Sequence, residues 1–336
     1  MNILITGVAG FIGSHLLDFS LEKGHHVTGV DDLSTGTLKN IENHLKNKKF
    51  NFVEGNICSK KTLESCVASC DIIFHLAAAV GVKLIVEKPV HTIETNIMGT
   101  DVLLRLAHQY RKKVMIASTS EVYGKNQNLP FKETHDMVLG PTTKHRWSYA
   151  CSKAIDEFLA LAYYAERQLP VVIVRFFNTI GPRQTGRYGM VVPRFIKQAI
   201  LEESITVYGS GEQTRCFGYV KEAVRAIYEL SDIPQAEGRV FNIGSTHRVT
   251  INNLALMVKD MTQSSSHVVH IPYEEAYESG FEDMHDRMPD VSSLKSVLGW
   301  SPTKPLKEIL EEMIEHETVS LRDSLKKRLS LKETVS

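Results

Sequence analysis

Cysteine is scarce in this sequence, and the cysteines present are not arranged for a structural role. Only five occur among 336 residues, and no two stand in a CxxC spacing. A disulfide framework or a cysteine-held zinc site is therefore not expected, and we predict reduced thiols in a cytoplasmic protein. The 14 histidines include no HExxH pair or comparable cluster, so the sequence predicts no metal site.

An excess of charge and a long apolar run are also missing. Lys plus Arg and Asp plus Glu both number 39, which gives a formal net charge of zero. A nucleic-acid-binding protein or a polybasic membrane anchor would carry a basic excess, so neither is expected. No apolar run approaches the roughly 18 residues of a membrane span. The chain opens on a strand pattern instead of a signal peptide, so we predict no membrane contact.

The first residues predict a turn that binds a dinucleotide. Asn2–Thr6 is a short apolar run, as expected of a parallel strand buried on both faces, and a helical pattern starts at Phe11. The glycines between them would let the backbone approach a pyrophosphate at the N-terminus of the helix. The predicted cofactor contacts in this turn are Gly7, Gly10, Phe11, Ile12 and Gly13.

An acidic residue at the end of the second strand predicts which dinucleotide is bound. Val27–Val30 leads into Asp31, about 20 residues past the glycines, where a carboxylate accepts hydrogen bonds from the adenosine ribose. Such a carboxylate repels a 2′-phosphate, so NAD is favoured over NADP. Small residues after the fourth strand would let a flat ring lie close, although they suit ordinary packing equally well. Further predicted cofactor contacts are Asn56, Ile57, Ala77 and Asn96.

Two residues in the middle of the chain form a candidate acid–base pair. Tyr149 and Lys153 are four residues apart in a predicted helix, Ser148–Gln168, so they project from the same face. A free phenol has a pKa of roughly 10, and a neighbouring ammonium favours its ionised form. The pair can therefore take a proton from a sugar hydroxyl while a hydride leaves the same carbon. The spacing alone is weak evidence, and the dinucleotide turn upstream strengthens it.

The order of the predicted elements indicates the architecture. Strands and helices alternate from Asn2 to Phe176, which predicts an α/β fold with a doubly wound parallel sheet of the Rossmann type. We assign residues 1–176 to an NAD-binding domain. Residues 177–316 are predicted to form mainly a smaller C-terminal α/β substrate domain, with segments that return to the core, and 317–336 a polar tail. Lys125–Arg146 is predicted to be a long polar loop that could serve as a lid.

Taken together, these motifs resemble a known family. The TGxxGxxG turn, the acidic strand end, the Tyr-x-x-x-Lys pair and the second domain resemble the extended short-chain dehydrogenase/reductases that act on nucleotide sugars. The resemblance covers nearly the whole chain, from Asn2 to Pro305. It implies that NAD takes the hydride from C4 of a nucleotide sugar. It also implies a homodimer through a four-helix bundle, with the helices of Thr92 and Ser148 as candidates.

The resemblance assigns roles to particular positions. It implies that Thr119, Tyr149 and Lys153 bind and deprotonate the C4 hydroxyl of the sugar. It further implies that Asn178 and Arg215 contact the nucleotide diphosphate.

The residues after Thr119 bear on the subfamily. Sugar 4-epimerases usually carry small residues at the positions of Ser120 and Glu121, whereas hexose 4,6-dehydratases usually carry Asp-Glu. Thr119–Gly124 is similar to the UDP-glucuronate decarboxylases, and also to GDP-mannose dehydratases, which have leucine in place of valine.

Further segments favour the decarboxylases. Leu139–Tyr149 and Arg215–Phe217 are similar to the decarboxylase domain of the bacterial aminoarabinose pathway. So is Gly280–Met284, which runs into Arg287. The similarity implies that Glu121 and Arg287 form a catalytic pair.

These patterns predict an enzyme of the UDP-glucuronate decarboxylase type. Oxidation of a glucuronate at C4 makes a β-keto acid, which can lose CO2 while positioned groups hold the carboxylate and reprotonate C5.

Asp286 departs from the decarboxylase pattern and could neutralise Arg287 or select another sugar. The alternatives are a UDP-sugar (hexose or uronate) 4-epimerase, an NDP-hexose 4,6-dehydratase and a non-catalytic NAD-binding regulator. The predicted catalytic residues are Thr119, Ser120, Glu121, Tyr149, Lys153 and Arg287, and the predicted substrate contacts are Asn178, Arg215 and Arg287.

Overall fold

A seven-stranded parallel sheet lies at the centre of the protein. Its strands are β1 Asn2–Thr6, β2 His26–Asp31, β3 Phe50–Glu54, β4 Ile72–His75, β5 Lys113–Thr119, β6 Val171–Phe176 and β11 Arg239–Ile243. They lie in the order β11-β6-β5-β4-β1-β2-β3. The computed structural model describes residues 1–81, 85, 87–186, 190–276, 284 and 286–333. The predicted similarity at Gly280–Met284 lies outside the described residues except for Met284.

Helices cover both faces of this sheet, which explains the continuous apolar runs of its strands. Along β1, Ile3 and Ile5 belong to one buried cluster and Leu4 to the other, because successive side chains point to opposite faces. The helices are α1 Phe11–Glu22, α2 Lys60–Ser69, α3 Pro89–Gln109, α4 Arg146–Arg167, α5 Val191–Ile200, α6 Val220–Ser231, α7 Ile251–Thr262, α8 Tyr273–Ala276, α9 Ser292–Leu298 and α10 Leu306–Glu333. Contacts join α1 to α6 on one face, and α3 to both α2 and α4 on the other.

Three small sheets are seen among the described residues of the C-terminal part of the chain. Two are the pairs β8 with β13 and β7 with β10, and in the third β9 lies between β12 and β14. Their bounds are β7 Thr179–Ile180, β8 Ile205–Tyr208, β9 Thr214–Cys216, β10 Gly218–Tyr219, β12 Arg248–Thr250, β13 Val268–Ile271 and β14 Asp286–Arg287. The predicted fold class is confirmed. The division at residue 176 stays a prediction, and the central sheet itself continues past it with β11.

The loop that follows β5 is fastened to the C-terminal part. Phe131 is fully buried, its N–H donates to the carbonyl of Met288 at 2.8 Å, and its carbonyl accepts from the N–H of Asp290 at 2.8 Å. The predicted lid thus contains a buried anchor, Phe131, which is bonded to the residues that follow the strand Asp286–Arg287. The predicted tail continues the last helix, since α10 runs on to Glu333.

All five cysteines are free thiols. Within the described residues, the helices are too short or too polar to cross a bilayer.

Candidate active site

A cavity of about 470 Å³ opens at the carboxyl edge of the central sheet. Parallel α/β sheets place their ligands at this edge, because the loops that follow the strands converge there. The predicted site residues that line it are Gly7, Gly10, Phe11, Ile12, Gly13, Asp31, Ile57, Ala77, Thr119, Ser120, Glu121, Tyr149, Lys153, Asn178, Arg215 and Arg287.

The turn between β1 and α1 is shaped for close approach of a ligand. Gly7 has a φ of +75°, which favours glycine, and a Cβ on Gly13 would lie 2.0 Å from the Gly7 carbonyl oxygen. Gly10 precedes α1 and makes no side-chain cap, and Gly10 to Gly13 line the cavity, so backbone N–H groups of the first helical turn remain available to a ligand. The turn therefore fits a pyrophosphate at the N-terminus of α1.

Asp31 is buried at the end of β2 and holds the glycine turn. Its carboxylate accepts from the N–H of Ala9 at 2.9 Å and from the N–H of Leu33 at 2.8 Å. Burial raises the pKa of Asp31, and these two hydrogen bonds oppose the rise. A carboxylate in this place can accept from ribose hydroxyls, so the residues present fit a dinucleotide that lacks a 2′-phosphate.

Two of the predicted cofactor contacts, Asn56 and Asn96, do not line the cavity and form hydrogen bonds within the protein. The Asn56 amide donates to Asp32 at 3.2 Å at the end of β3. The Asn96 side chain is buried, accepts from the N–H of Ala79 at 2.9 Å and donates to Ser152 at 3.0 Å. It therefore ties the loop after β4 to α4, a supporting role for the cavity wall.

The cavity is lined by all three predicted residues, Thr119, Tyr149 and Lys153. The sequence predicts that Lys153 lowers the pKa of the Tyr149 phenol, but the structure gives the opposite shift. Hydrogen bonding with the Thr119 hydroxyl acts to lower the pKa of the Tyr149 phenol. Burial, followed by the negative charge of Glu121, raises the pKa of Tyr149. The expected lowering by Lys153 is offset because its ammonium donates to the buried Asp156 carboxylate at 2.7 Å.

Asp156 belongs to a buried polar chain that the sequence reasoning missed. Behind Lys153 and Asp156, the His75 ring contacts the Thr6 hydroxyl at 2.8 Å and the Thr100 hydroxyl at 3.2 Å. Burial, followed by the charge of Lys153, lowers the pKa of His75 to about 3, so the ring is neutral. The spacing of Lys153 and Asp156 was a readable signal, because residues three apart on a helix are neighbours.

Glu121 lies between two arginines. Arg146 Nη2 donates to its Oε1 at 2.6 Å, Arg146 Nη1 pairs with its Oε2, and Arg287 Nη1 donates to Oε1 at 2.8 Å. Burial acts to raise the pKa of Glu121, but the two guanidinium groups outweigh it and lower that pKa to about 2. The structure thus brings Glu121 and Arg287 together as predicted. It adds Arg146, which occurred in the Leu139–Tyr149 similarity but was not singled out.

The acidic residue before Arg287 faces another way. Asp286 accepts from Arg248 Nη2 at 2.9 Å and from the Thr214 hydroxyl. Successive residues of β14 point to opposite sides, so Arg287 reaches Glu121 while Asp286 joins the neighbouring strands. The sequence analysis expects Asp286 either to neutralise Arg287 or to select another sugar. The contacts of Asp286 with Arg248 and Thr214 do not support the first of these expectations.

The far end of the cavity carries positive charge beside an aromatic ring. Asn178 and Arg215 line it, and Arg215 lies in β9 with little exposure. The Arg194 guanidinium lies 3.8 Å from the centre of the Tyr208 ring, and Gln213 donates to the Tyr208 carbonyl at 3.0 Å. Such an end suits an anionic group that is joined to a flat ring.

A dinucleotide turn and a Thr-Tyr-Lys set at one sheet edge define an extended short-chain dehydrogenase/reductase. Residues 4–313 match the family described as "GDP-mannose 4,6 dehydratase", and the chain belongs to that family. The UDP-N-acetyl-alpha-D-glucosaminuronate decarboxylase of Bacillus cytotoxicus is 44% identical over 313 residues, which cover 93% of this chain and 96% of that protein. UDP-glucuronic acid decarboxylase 1 of Danio rerio is 35% identical over 318 residues, 94% of this chain and 72% of that protein.

A solved structure agrees with these relatives. The UDP-glucuronic acid 4-epimerase from Bacillus cereus, in complex with UDP-glucuronic acid and NAD, superposes with a TM-score of 0.83 at 29% identity. The match covers 94% of this chain and 98% of that chain. The predictions of the family and of an enzyme that modifies nucleotide sugars are confirmed.

Proposed function

We propose that the protein is an NAD-dependent decarboxylase of a UDP-linked uronic acid. The observation that carries the proposal is Glu121, a buried carboxylate held by Arg146 and Arg287 in the same cavity as Tyr149. Positive charge beside the reacting carbon suits a substrate carboxylate, which a neutral hexose lacks. The decarboxylase relatives from Bacillus cytotoxicus and Danio rerio support the same reaction.

The glycine turn and Asp31 fit NAD as the cofactor. The turn at Gly7 and Gly13 would hold the pyrophosphate, Asp31 would accept from the adenosine ribose, and Tyr149 with Lys153 would adjoin the reacting end. When bound, NAD accepts a hydride from C4 of the sugar. The B. cereus structure, an NAD complex, supports this choice.

The residues of this chain would act on the sugar as proton acceptor, positioning groups and proton donor. Tyr149 would take the proton of the C4 hydroxyl, and this requires the bound cofactor to offset the burial and the Glu121 charge that raise the pKa of Tyr149. Lys153 shares the helix face of Tyr149 and is held there by Asp156. The resulting 4-keto uronate is a β-keto acid. Its C5–C6 bond breaks, CO2 leaves, and the electron pair forms a C4 enolate. Arg287 orients the carboxylate before this step, and a positioned acid then protonates C5.

Two uronic acids are candidates for the sugar. The UDP-glucuronic acid decarboxylases favour glucuronate, and the 44% identical relative favours its 2-acetamido analogue. Incubation with NAD and each UDP-sugar, followed by chromatography that separates epimers and by mass spectrometry, tests both. We expect loss of CO2 from at least one, and no loss with the Tyr149→Phe variant. Loss of water, or conversion to UDP-galacturonate at unchanged mass, would replace the proposal by a dehydratase or a 4-epimerase.

The outer face formed by α3 and α4 supports the predicted homodimer. Apolar side chains are exposed there, with Val90 at 66%, Met98 at 53% and Phe158 at 63% exposure. Two such helix pairs would bury these side chains in a four-helix bundle. Light scattering should give twice the chain mass, and Phe158→Glu should give a monomer. A monomeric wild-type protein would contradict this part of the proposal.

The free thiols support a cytoplasmic location.

A further inference from the structure

We propose that Asp156 is a positioning residue whose buried carboxylate balances the charge of Lys153 and so favours binding of the oxidised cofactor, NAD+. The inference rests on the proposed function only for the binding of NAD with its reacting end beside Tyr149 and Lys153. It concerns which oxidation state of the cofactor the site prefers.

The carboxylate of Asp156 is paired with an ammonium that lines the cavity. Lys153 is among the described residues that line the cavity and Asp156 is not, and their charged atoms are 2.7 Å apart. The side chains are 3% and 0% exposed, because residues three apart on α4 share a face. Burial raises the pKa of Asp156, and the charge of Lys153 opposes the rise. The pair therefore brings an ammonium to the cavity without adding net charge.

The net charge of this pair matters because the two forms of the cofactor differ in charge at one end. The oxidised nicotinamide ring carries one positive unit and the reduced ring carries none, whereas the rest of the molecule is the same in both. A comparison of the two forms therefore cancels the contributions of the glycine turn and of Asp31. An ammonium without a counter-charge would disfavour the oxidised ring alone, and Asp156 offsets that effect.

The size of the effect follows from Coulomb's law. Two unit charges about 10 Å apart, at an effective dielectric constant of about 20, change an equilibrium constant by more than about tenfold. The Asp156 carboxylate is one ion-pair distance from an ammonium that itself lines the cavity, so a ring beside Lys153 would fall within that range. A tenfold change in the preference between the two forms equals about 30 mV in the reduction potential of the bound two-electron couple.

The other titratable groups near the pair are held in one state by their surroundings. They are His75 on β4, Glu121 after β5, and Tyr149 and Glu157 on α4. Burial lowers the pKa of His75 to about 3. Burial acts to raise the pKa of Glu121, but Arg146 and Arg287 lower it to about 2. Burial and the charge of Glu121 raise the pKa of Tyr149, and Glu157 pairs with Arg175 at 2.7 Å. A pH effect between 6.5 and 9 in a variant without Asp156 thus reports the ammonium of Lys153.

Equilibration with a known mixture of NAD+ and NADH measures the preference directly. The full chain is incubated with both forms and no nucleotide sugar, free cofactor is removed by rapid filtration, and chromatography gives the bound ratio. In Asp156→Asn at pH 6.5 the ratio should shift toward NADH by at least about tenfold relative to the wild type. At pH 9 the shift should be below about threefold, because a buried ammonium without its partner releases its proton more readily. An unchanged ratio at pH 6.5 would overturn the proposal.

Two companion variants separate charge from packing. Asp156→Glu keeps the charge and should stay within about threefold of the wild type. Asp156→Asn/Lys153→Met removes both charges, so at pH 6.5 the ratio should return to the wild-type value or pass it toward NAD+. If the double variant kept the ratio of Asp156→Asn, packing instead of charge would set the preference and the proposal would be wrong.

Glu157→Gln is the matched control. Glu157 is also a buried carboxylate on α4, but it pairs with Arg175 and is not among the described residues that line the cavity. Its loss should leave the bound ratio within about threefold of the wild type. A shift as large as that of Asp156→Asn would contradict the assignment to Asp156.

A second pair of proteins decides the question if Asp156→Asn does not fold. In Lys153→Met at pH 9 the bound ratio should favour NAD+, because the Asp156 carboxylate then acts on the ring without its ammonium. Adding Asp156→Asn should reduce this preference by at least about tenfold. No reduction would refute the proposed role of Asp156.

Wild-type CO2 release from UDP-glucuronate is recorded in parallel. Its absence would refute the decarboxylase, while the bound ratios would still decide the role of Asp156. A wild-type protein that retained neither form of the cofactor would refute the NAD binding on which both proposals rest.

Discussion

Replacement of Asp156 by asparagine should destabilise the protein strongly, and the loss should depend on pH. Asp156 and Lys153 form an ion pair at 2.7 Å, with side chains only 0% and 3% exposed. The Asp156→Asn variant would leave a buried ammonium without its counter-charge, which usually costs about 3–5 kcal/mol. An ordinary lysine, with a pKa of about 10.4, can escape by losing its proton for about 4.6 kcal/mol at pH 7 and about 1.9 kcal/mol at pH 9. These two energies are upper limits on the cost of the substitution, because the lysine loses its proton whenever keeping the buried charge would cost more.

Urea denaturation at both pH values measures the effect. We expect Asp156→Asn to lower the free energy of unfolding by about 3–4.6 kcal/mol at pH 7 and by no more than about 2 kcal/mol at pH 9. Adding Lys153→Met removes the buried charge, so the double variant should be more stable than Asp156→Asn alone. A loss at pH 7 below about 0.5 kcal/mol, the range of exposed pairs, would refute the reasoning.

An exposed pair of the same kind gives the control. Asp101 and Arg105 are four residues apart on α3, with side chains 33% and 69% exposed. Asp101→Asn should leave the urea midpoint close to that of the wild type at either pH.

Three further predictions concern other parts of the cavity. The pKa of Glu121 is depressed from the ordinary glutamate value to about 2, so the stability it adds is present above that ordinary value and lost as pH falls toward 2. The melting temperature should therefore fall less between pH 5 and pH 3 in Glu121→Gln than in the wild type. Gly13→Ala places a methyl group 2.0 Å from the Gly7 carbonyl oxygen and should weaken NAD binding, measured by calorimetry, by at least about tenfold. Asp286→Asn, which alters the contact with Arg248, should change the rate of CO2 release less than about twofold, and a larger change would mean that Asp286 acts on the substrate.

The fold was predictable because its signals are local. β1 has the predicted bounds, since it is a short apolar run that ends at a turn, and β2 extends the predicted Val27–Val30 by one residue at each end. The helix α2, Lys60–Ser69, was missed, although Ser59 caps it by accepting from the N–H of Thr62. The buried residues of α2 are few, so its sequence has no strong apolar stripe that would indicate a helix. The cavity residues near the glycines were predictable for the same local reason.

The partners of the catalytic residues were harder to predict, because they depend on contacts across the chain. Glu121 and Arg287 are far apart in sequence, and only the resemblance to decarboxylases linked them. The role of Asp286 depends on which side of β14 it occupies, which requires the pairing of β14 with β9. The raised pKa of Tyr149 depends on burial and on Glu121, neither of which the Tyr-x-x-x-Lys spacing contains.

The spacing of the buried residues in α4 explains why hydrophobic periodicity did not identify Arg146 and Asp156 as site residues. Its buried polar residues Arg146, Tyr149, Lys153 and Asp156 follow one another at intervals of three, four and three, the spacing that usually marks an apolar core stripe. Periodicity assigns such a charged stripe to solvent, whereas here Arg146 pairs with Glu121 and Lys153 pairs with Asp156. On the outer side Phe158 is 63% exposed. A helix with charges inside and an aromatic ring outside is stable only if other elements satisfy both sides. Glu121 does so for Arg146 on the inner side, and a second copy of the chain would cover Phe158 on the outer side.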